Sequence, residues 1–348
     1  MNPFPLRPRV TSVRQATMVV NKLLVLVTSL VVIALISALP AGAKVPGTNG
    51  QIAFSRQNPE EMNTDVFISN PDGTHVQQVP IPVNVEELGG GVWSPDGNRL
   101  LITTLFRQDA SGEFLPFRPA TIAPDGSGFT LLDPPGAPFD MSCNAWSPSG
   151  TRILCGFGGD APGVFNIRAS DGGDPVRLST NPYGLNDQAG DYSPDGTKIV
   201  FVRTKPGAGP DPDRTQKGAL FVADSEDGGG LRQLTPYGLA DSHEFGWSAR
   251  WSPDGSQIVF ASSRGSLFLV HADGTGLRAI PLHTGGPSVA FAPGWSPDGS
   301  RVIFSLFTAT SGREDIYTAK VDGTDLSQVT DTPDFENFAD WGSHALAG

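Results

Sequence analysis

The chain is poor in the residues that most often carry metal and cofactor chemistry. It has two cysteines and five histidines in 348 residues. His75, His243, His271, His283 and His344 show no paired spacing, so no zinc site and no other metal site is expected. Charged residues make up only 17% of the chain and sum to a net charge of −12. Without a basic patch there is nothing to release counterions from a polyanion, which argues against nucleic acid and anionic membrane as partners. Neither a G-x-S-x-G nucleophile elbow nor a phosphate-cradling glycine loop ahead of a helix occurs, and helical patterning is scarce throughout. No cofactor is expected. What the chain has in quantity is turn-forming residues, 42 Gly and 31 Pro. Spread among short apolar runs, they indicate an all-β protein with many turns rather than a disordered one.

The first residues read as a leader. Arg7, Arg9, Arg14 and Lys22 precede a nearly unbroken apolar run from Leu23 to Leu39, followed by Ala41-Gly42-Ala43. A basic region, an apolar core and an A-x-A site describe a secretory signal over residues 1–43, cut after Ala43. The alternative is an uncleaved membrane anchor, because the run nearly reaches the length of a span. Either way the sequence predicts a secreted, periplasmic or cell-surface protein, with residues 44–348 forming a single domain.

That domain is organised by one repeated phrase. Trp295-Ser296-Pro297-Asp298-Gly299 leads into Ser300-Arg301-Val302-Ile303-Phe304, and versions of it begin at Trp93, Trp146, Tyr192 and Trp251. Proline suits the second position of a type I turn, and glycine takes the left-handed conformation after it. The β-branched and aromatic run that follows reads as a buried strand. The recurring aromatic is spaced by 53, 46, 59 and 44 residues, and Trp341 follows 46 later. Periods of this size mean a solenoid or a propeller. In the fifth unit four strand-like pieces can be traced: Gly246 to Arg250, Gln257 to Ser262, Ser266 to Val270 and Leu277 to Leu282. Four antiparallel strands repeated radially describe propeller blades.

The two ends supply the topology. Residues Asn49 to Phe54 look like a second strand with no first strand before it. Residues Phe338 to Gly342 look like a first strand with no second strand after it. Joining them completes one blade from both termini. The prediction is a six-bladed β-propeller of four-stranded antiparallel blades, the first closed by the C-terminal strand.

These repeats resemble those of the TolB-like propeller family, which carries the same W-S-P-D-G-x-x-I-x-F phrase. The resemblance covers residues 49–343, with Tyr192 standing for the tryptophan in one copy and Ser149 for the aspartate in another. It implies a six-bladed propeller of the kind that serves bacteria as an extracytoplasmic binding platform.

Candidate site residues follow from that geometry. The Asp-Gly turns do not match the ligand spacing of a calcium loop, and aspartate is favoured in turns for its own reasons. The connections that enter each first strand lie on the opposite face and are acidic. They nominate Glu87, Asp140, Asp187, His243, Glu244, Arg250, Glu336 and Asp340 as a binding mouth around the bore, because loops on a rigid scaffold commonly carry binding. Two long insertions, 107–118 and 205–217, fall on the same face. Cys143 and Cys155 are equidistant from Ser149 at the turn between them, which makes them a disulfide candidate in an exported protein. The functional expectation is a non-catalytic scaffold that binds protein or glycan, with a basic peptide segment or a divalent cation suited to an acidic mouth. The alternative is a carbohydrate-active or other lyase or hydrolase with its site in the acidic channel.

Overall fold

A computed structural model describes residues 47–58, 64–82, 85–107, 117–133, 141–157, 162–207, 217–240 and 249–343. The leader expected over 1–43 lies outside them. Among the described residues every regular element is a strand, and the strands form six four-stranded antiparallel sheets. Neighbouring sheets touch in the order one to six, and the sixth touches the first, so the sheets close a ring.

Blade 1 takes its inner strand, Phe335–Trp341, from the C-terminus, followed outward by Ile52–Gln57, Thr64–Ser69 and Gln77–Gln78. Blade 2 runs Val85–Trp93, Leu100–Arg107, Arg118–Ile122 and Thr130–Leu131. Blade 3 runs Met141–Trp146, Arg152–Phe157, Gly163–Arg168 and Val176–Arg177. Blade 4 runs Asp187–Tyr192, Lys198–Lys205, Lys217–Asp224 and Arg232–Gln233. Blade 5 runs Ala249–Trp251, Gln257–Ala261, Leu267–His271 and Arg278–Ala279. Blade 6 runs Ser288–Trp295, Arg301–Thr308, Arg313–Lys320 and Ser327–Gln328. The predicted architecture and its closure by the C-terminal strand are therefore present, with Ile52 opposite Trp341 and Gln57 opposite Phe335.

The outer strands are shorter than the sequence suggests. Each pairs over only two residues, because an edge strand has a partner on one side only. One further hydrogen bond per blade, such as Val79 N–H to Val66 O at 2.8 Å and Leu178 N–H to Val164 O at 2.8 Å, then pulls a buried apolar residue inward.

The repeated phrase explains the turns residue by residue. In blade 5 the Ser252 hydroxyl donates to Asp254 Oδ1 at 2.6 Å and accepts from the Gln257 N–H at 2.9 Å. The Gly255 N–H donates to Ser252 O at 2.8 Å, and Gly255 sits at φ +73°. The same bonds recur around Ser94, Ser193 and Ser296, and Ser149 substitutes a hydroxyl for the aspartate in blade 3. The Ser252 and Ser94 hydroxyls hold Asp254 and Asp96 below the usual carboxylate range. These aspartates are turn acceptors by construction.

The core lies in the seams between blades. Ile52 and Phe54 of blade 1 pack with Ile303 and Ile316 of blade 6, and Val92 and Leu101 of blade 2 pack with Ile153 and Cys155 of blade 3. Phe54, Phe201, Phe260 and Phe304 are fully buried and stack on Phe67, Phe221, Phe268 and Tyr317 of the adjoining strand, with ring centres 5.7 to 6.5 Å apart. Each ring buries on the order of 150–250 Å² and gives the seam most of its apolar area. In blade 3 the equivalent position is Cys155, which faces Cys143 in register and joins it in a disulfide.

Close approach sets the blade spacing. The glycine of each outer Asp-Gly turn abuts the end of the preceding blade's outer strand. A Cβ on Gly228 would stand 1.9 Å from Leu178 O, on Gly73 2.1 Å from Val329 O and on Gly323 2.5 Å from Pro281 O. Gly184, at φ +70°, is left-handed like Gly228 at φ +76° but meets nothing within 4 Å. Both Gly→Ala variants should carry the left-handed strain of about 1–2 kcal/mol. Only Gly228→Ala should lose clearly more, because the clash is with backbone that cannot swing aside. Urea midpoints of the two variants decide this, and equal midpoints would show that the seam yields at no cost.

Candidate functional site

The ring has two unlike faces. The W-S-P-D-G turns and the outer Asp-Gly turns share one face, where the carboxylates serve their own turns. Asp72, Asp125, Asp273 and Asp322 each accept from the N–H two residues on, at 2.9 to 3.0 Å. The other face is where the chain enters each inner strand; of the nominated residues it carries Asp187 and Glu336, whereas Arg250 and Asp340, expected at the same mouth, stand at the far end of their inner strands beside the W-S-P-D-G turns. Exposed apolar side chains also lie there: Tyr183 at 50%, Val289 at 45% and Phe117 at 41%.

The inner strands place the nominated residues in three different situations. Asp187 and Glu336 begin the inner strands of blades 4 and 1, opposite each other across the ring, and both are buried. Arg203 lies opposite Asp187 in register; its Nε donates to Oδ1 at 3.0 Å and its Nη2 to Oδ2 at 2.7 Å. The same guanidinium stands 5.4 and 5.1 Å from the ring centres of Phe201 and Phe221 and donates to Thr180 O at 3.1 Å. In blade 1, Arg56 lies opposite Glu336, donates to Oε1 at 2.9 Å and covers Phe67 at 4.4 Å. Two copies of one device therefore exist: an acid at the head of the inner strand, an arginine opposite it and stacked aromatics beneath.

Asp340 and Arg250 stand one residue before the recurring aromatic, as does Asp191, and all three line a cavity on the ring axis. Asp340 Oδ2 accepts the backbone N–H of Trp93 in the next blade at 3.0 Å, and Asp191 Oδ2 accepts that of Trp251 at 3.1 Å. Arg250 reaches back to Gly190 O at 2.9 Å, and Asn144 Nδ2 reaches Ala189 O at 2.6 Å. The inner strands are thus laced to one another by side chains that the sequence offers as ligand groups. The cavity is small, about 30 Å³, room for roughly two waters and not for a sugar ring.

Glu87 belongs to the strand Val85–Trp93; its side chain lies outside the described residues. Asp140, His243 and Glu244 lie outside them entirely, as do the interiors of the two insertions. Sequence reasoning missed Arg56 and Arg203. Arg203 could have been found by folding blade 4 about its turn, which brings it opposite Asp187; Arg56 and Glu336 are 280 residues apart, and no local pattern links them.

The axis shows a further strained position. Phe338, at φ +55°, and Ala292, at φ +47°, sit at the bulges of their inner strands and line the axis beside Arg250. The Ser305 hydroxyl accepts the Phe338 N–H at 3.1 Å, as Ser55 accepts that of Gly90 at 2.8 Å in the next blade. Phe291 meets Phe338 edge to face at 6.4 Å. A serine from the preceding blade thus holds the bulge.

Removing one member of the Asp187–Arg203 pair leaves the other charge buried alone, at a cost of about 3–5 kcal/mol. Asp187→Asn and Arg203→Met should each destabilise the ring on that scale by chemical denaturation, and the double variant by clearly less than the two combined. Additive losses would mean that the two side chains act independently.

No family model matches the chain, and no curated protein matches it by sequence. Solved structures match it by fold. TolB from Acinetobacter baumannii aligns with 84% of this chain and 66% of its own, at 15% identity and a TM-score of 0.62. A TolB structure from Agrobacterium tumefaciens aligns with 85% of this chain and 99% of its own, at 18% identity and a TM-score of 0.55. Hydrazine synthase from Kuenenia stuttgartiensis aligns with 89% of this chain and 50% of its own, at 13% identity and a TM-score of 0.62. The chain thus spans about two thirds of the Acinetobacter TolB. At these identities the likeness is one of architecture, and the architecture is the TolB-like six-bladed β-propeller.

Proposed function

We propose that the protein is an extracytoplasmic scaffold that binds a protein segment on its entry face and carries out no catalysis. The fold supports a scaffold: six apolar seams, four of them packed around a fully buried phenylalanine, hold the loops of one face at fixed positions. The observation that carries the reading is the contrast between the faces. On the turn face the carboxylates are consumed by their own turns. On the entry face Tyr183, Val289 and Phe117 are exposed, and apolar anchors of this kind suit a peptide with apolar side chains. The leader that the sequence predicts over residues 1–43 favours an extracytoplasmic location.

The catalytic alternative asks for a free acid or base in the channel. Asp187 and Glu336 are engaged by arginines, Asp191 and Asp340 by backbone N–H groups of the next blade, and the axial cavity has room for water alone. These engagements favour the scaffold. A glycan or a divalent cation remains an outcome that a binding experiment on the native envelope would reveal.

Because Asp187 and Glu336 hold the ring together, the test avoids them. Tyr183→Ser with Val289→Ser should weaken binding of the partner cross-linked to the native protein by roughly tenfold or more, the loss expected from removing central apolar anchors. The melting temperature should stay the same. Unchanged binding in that variant, with loss in Leu231→Ser and Leu277→Ser at the outer rim, would move the binding surface away from the entry face.

A further inference from the structure

The seam where blade 6 meets blade 1 sets a second buried acid beside the Glu336–Arg56 pair. Asp315 lies on the third strand of blade 6 and Glu336 on the closing strand of blade 1; they are 3% and 0% exposed. Their carboxyls lie within hydrogen-bonding reach of each other. Glu336 Oε1 is taken by Arg56 and by the Thr332 hydroxyl, while Glu336 Oε2 and Asp315 Oδ1 have no partner that could donate. Two carboxylate oxygens cannot hydrogen bond to each other unless one carries a proton, and an unpaired buried carboxylate is expensive. Two acids this close in a dry site do not both ionise near neutral pH.

We propose that Asp315 and Glu336 share one proton, and that this carboxyl–carboxylate bond is a pH-sensitive latch fastening the C-terminal strand of blade 1 to blade 6.

The surrounding charges fit this assignment. Arg56 faces Glu336 from the second strand of blade 1. From the third strand of blade 6 come Arg313, Glu314 and Tyr317, and from the outer strand Gln328, which bonds to Asp315. The connection between the blades contributes Asp331 and Thr332. Arg313 is directed outward: it donates to Thr332 O at 2.6 Å and lies 3.7 Å from Asp331. Glu314 accepts from Asn337 Nδ2 at 3.3 Å. Four acids thus share two guanidiniums, and one proton on the Asp315–Glu336 pair reduces the excess. Burial holds Asp315, Glu336 and Glu314 above the usual carboxyl range; the Asp315 charge raises Glu336 further, while the hydrogen bond from Glu336 draws Asp315 partly back down.

The pH dependence has a definite sign. A carboxyl whose folded value is raised binds more protons folded than unfolded. The latch's contribution is therefore complete below the ordinary carboxyl range near pH 4 and is lost as pH rises through the raised values. Loss of the proton leaves two like charges across the seam that closes the ring. The strand Phe335–Trp341 keeps its ladder to Ile52–Gln57 but is repelled from blade 6.

The test follows hydrogen exchange of residues 335–341 in the full chain between pH 4.5 and 8.5, corrected for the intrinsic rate, in the wild type and in Asp315→Asn. Single-proton linkage allows the opening equilibrium to change up to about tenfold per pH unit. The wild type should lose protection across the raised window, whereas Asp315→Asn, whose amide donates permanently to Glu336, should hold it constant. An infrared band of a buried protonated carboxyl should be present in the wild type and absent from both Asp315→Asn and Glu336→Gln, a readout that folding defects do not imitate. Parallel exchange profiles, or no such band, would overturn the latch. So would calcium at pH 8 restoring protection in the wild type but not in Asp315→Asn, because the pair would then hold a cation.

Discussion

Everything in this ring depends on how closely one blade can approach the next. A four-stranded sheet with two apolar faces cannot be stable alone, so each blade is completed by its neighbours. The approach is governed at three radii. At the rim a turn glycine lets its backbone come against the outer strand of the preceding blade, where in five of the six blades a Cβ would collide. Midway the aromatic stacks fill the gap. Near the axis indole N–H groups cross the seam, from Trp146 to Val92 O and from Trp295 to Arg250 O, each at 3.0 Å. Glycine at the rim and tryptophan at the hub meet two different needs, close backbone contact outside and satisfied backbone carbonyls inside.

This explains why the acids beside the recurring aromatic are less available than their sequence positions suggest. Among the described residues the inner strand is bulged in every blade but the fifth, and a bulge leaves backbone donors and acceptors that the ladder does not use. Aspartate, asparagine and arginine beside the recurring aromatic satisfy these groups across the seam. The resulting lattice is polar, buried and engaged. A ligand that approached it would have to displace backbone hydrogen bonds, which is why exposed apolar and loop residues are better placed to receive one.

The fold was legible because the W-S-P-D-G phrase is local chemistry. Each of its residues has a job within five positions of itself, and the spacing of the copies gives the blade count. The Cys143–Cys155 facing was legible for the same reason, since both strands belong to one hairpin. The length of the outer strands was not, because pairing at an edge is decided by what lies beyond the sheet. The site was legible only as a set of positions. Whether Glu336 is a free acid depends on Arg56, nearly the whole chain away, and on Asp315 in another blade. Contacts across seams join residues with no periodic relation, and side-chain type alone cannot reveal them.

The two halves of the ring are held by interactions of different kinds. Blades 3 and 4 carry a disulfide and a bidentate aspartate–arginine pair. The seam between blades 6 and 1 carries a shared proton and a pair with a single guanidinium contact. The turn aspartates oppose the seam acids in sign. Asp96 and Asp254, held low by serine hydroxyls, stabilise the fold above the ordinary carboxylate range and lose that effect as pH falls. The seam acids, held high by burial, lose theirs as pH rises. Acid therefore loosens turns in every blade but the third, whereas base acts at one place, the seam that joins the two ends of the chain. A ring built this way has one preferred line of opening, and it lies where the terminal strand is docked rather than where a covalent bond reinforces the hairpin.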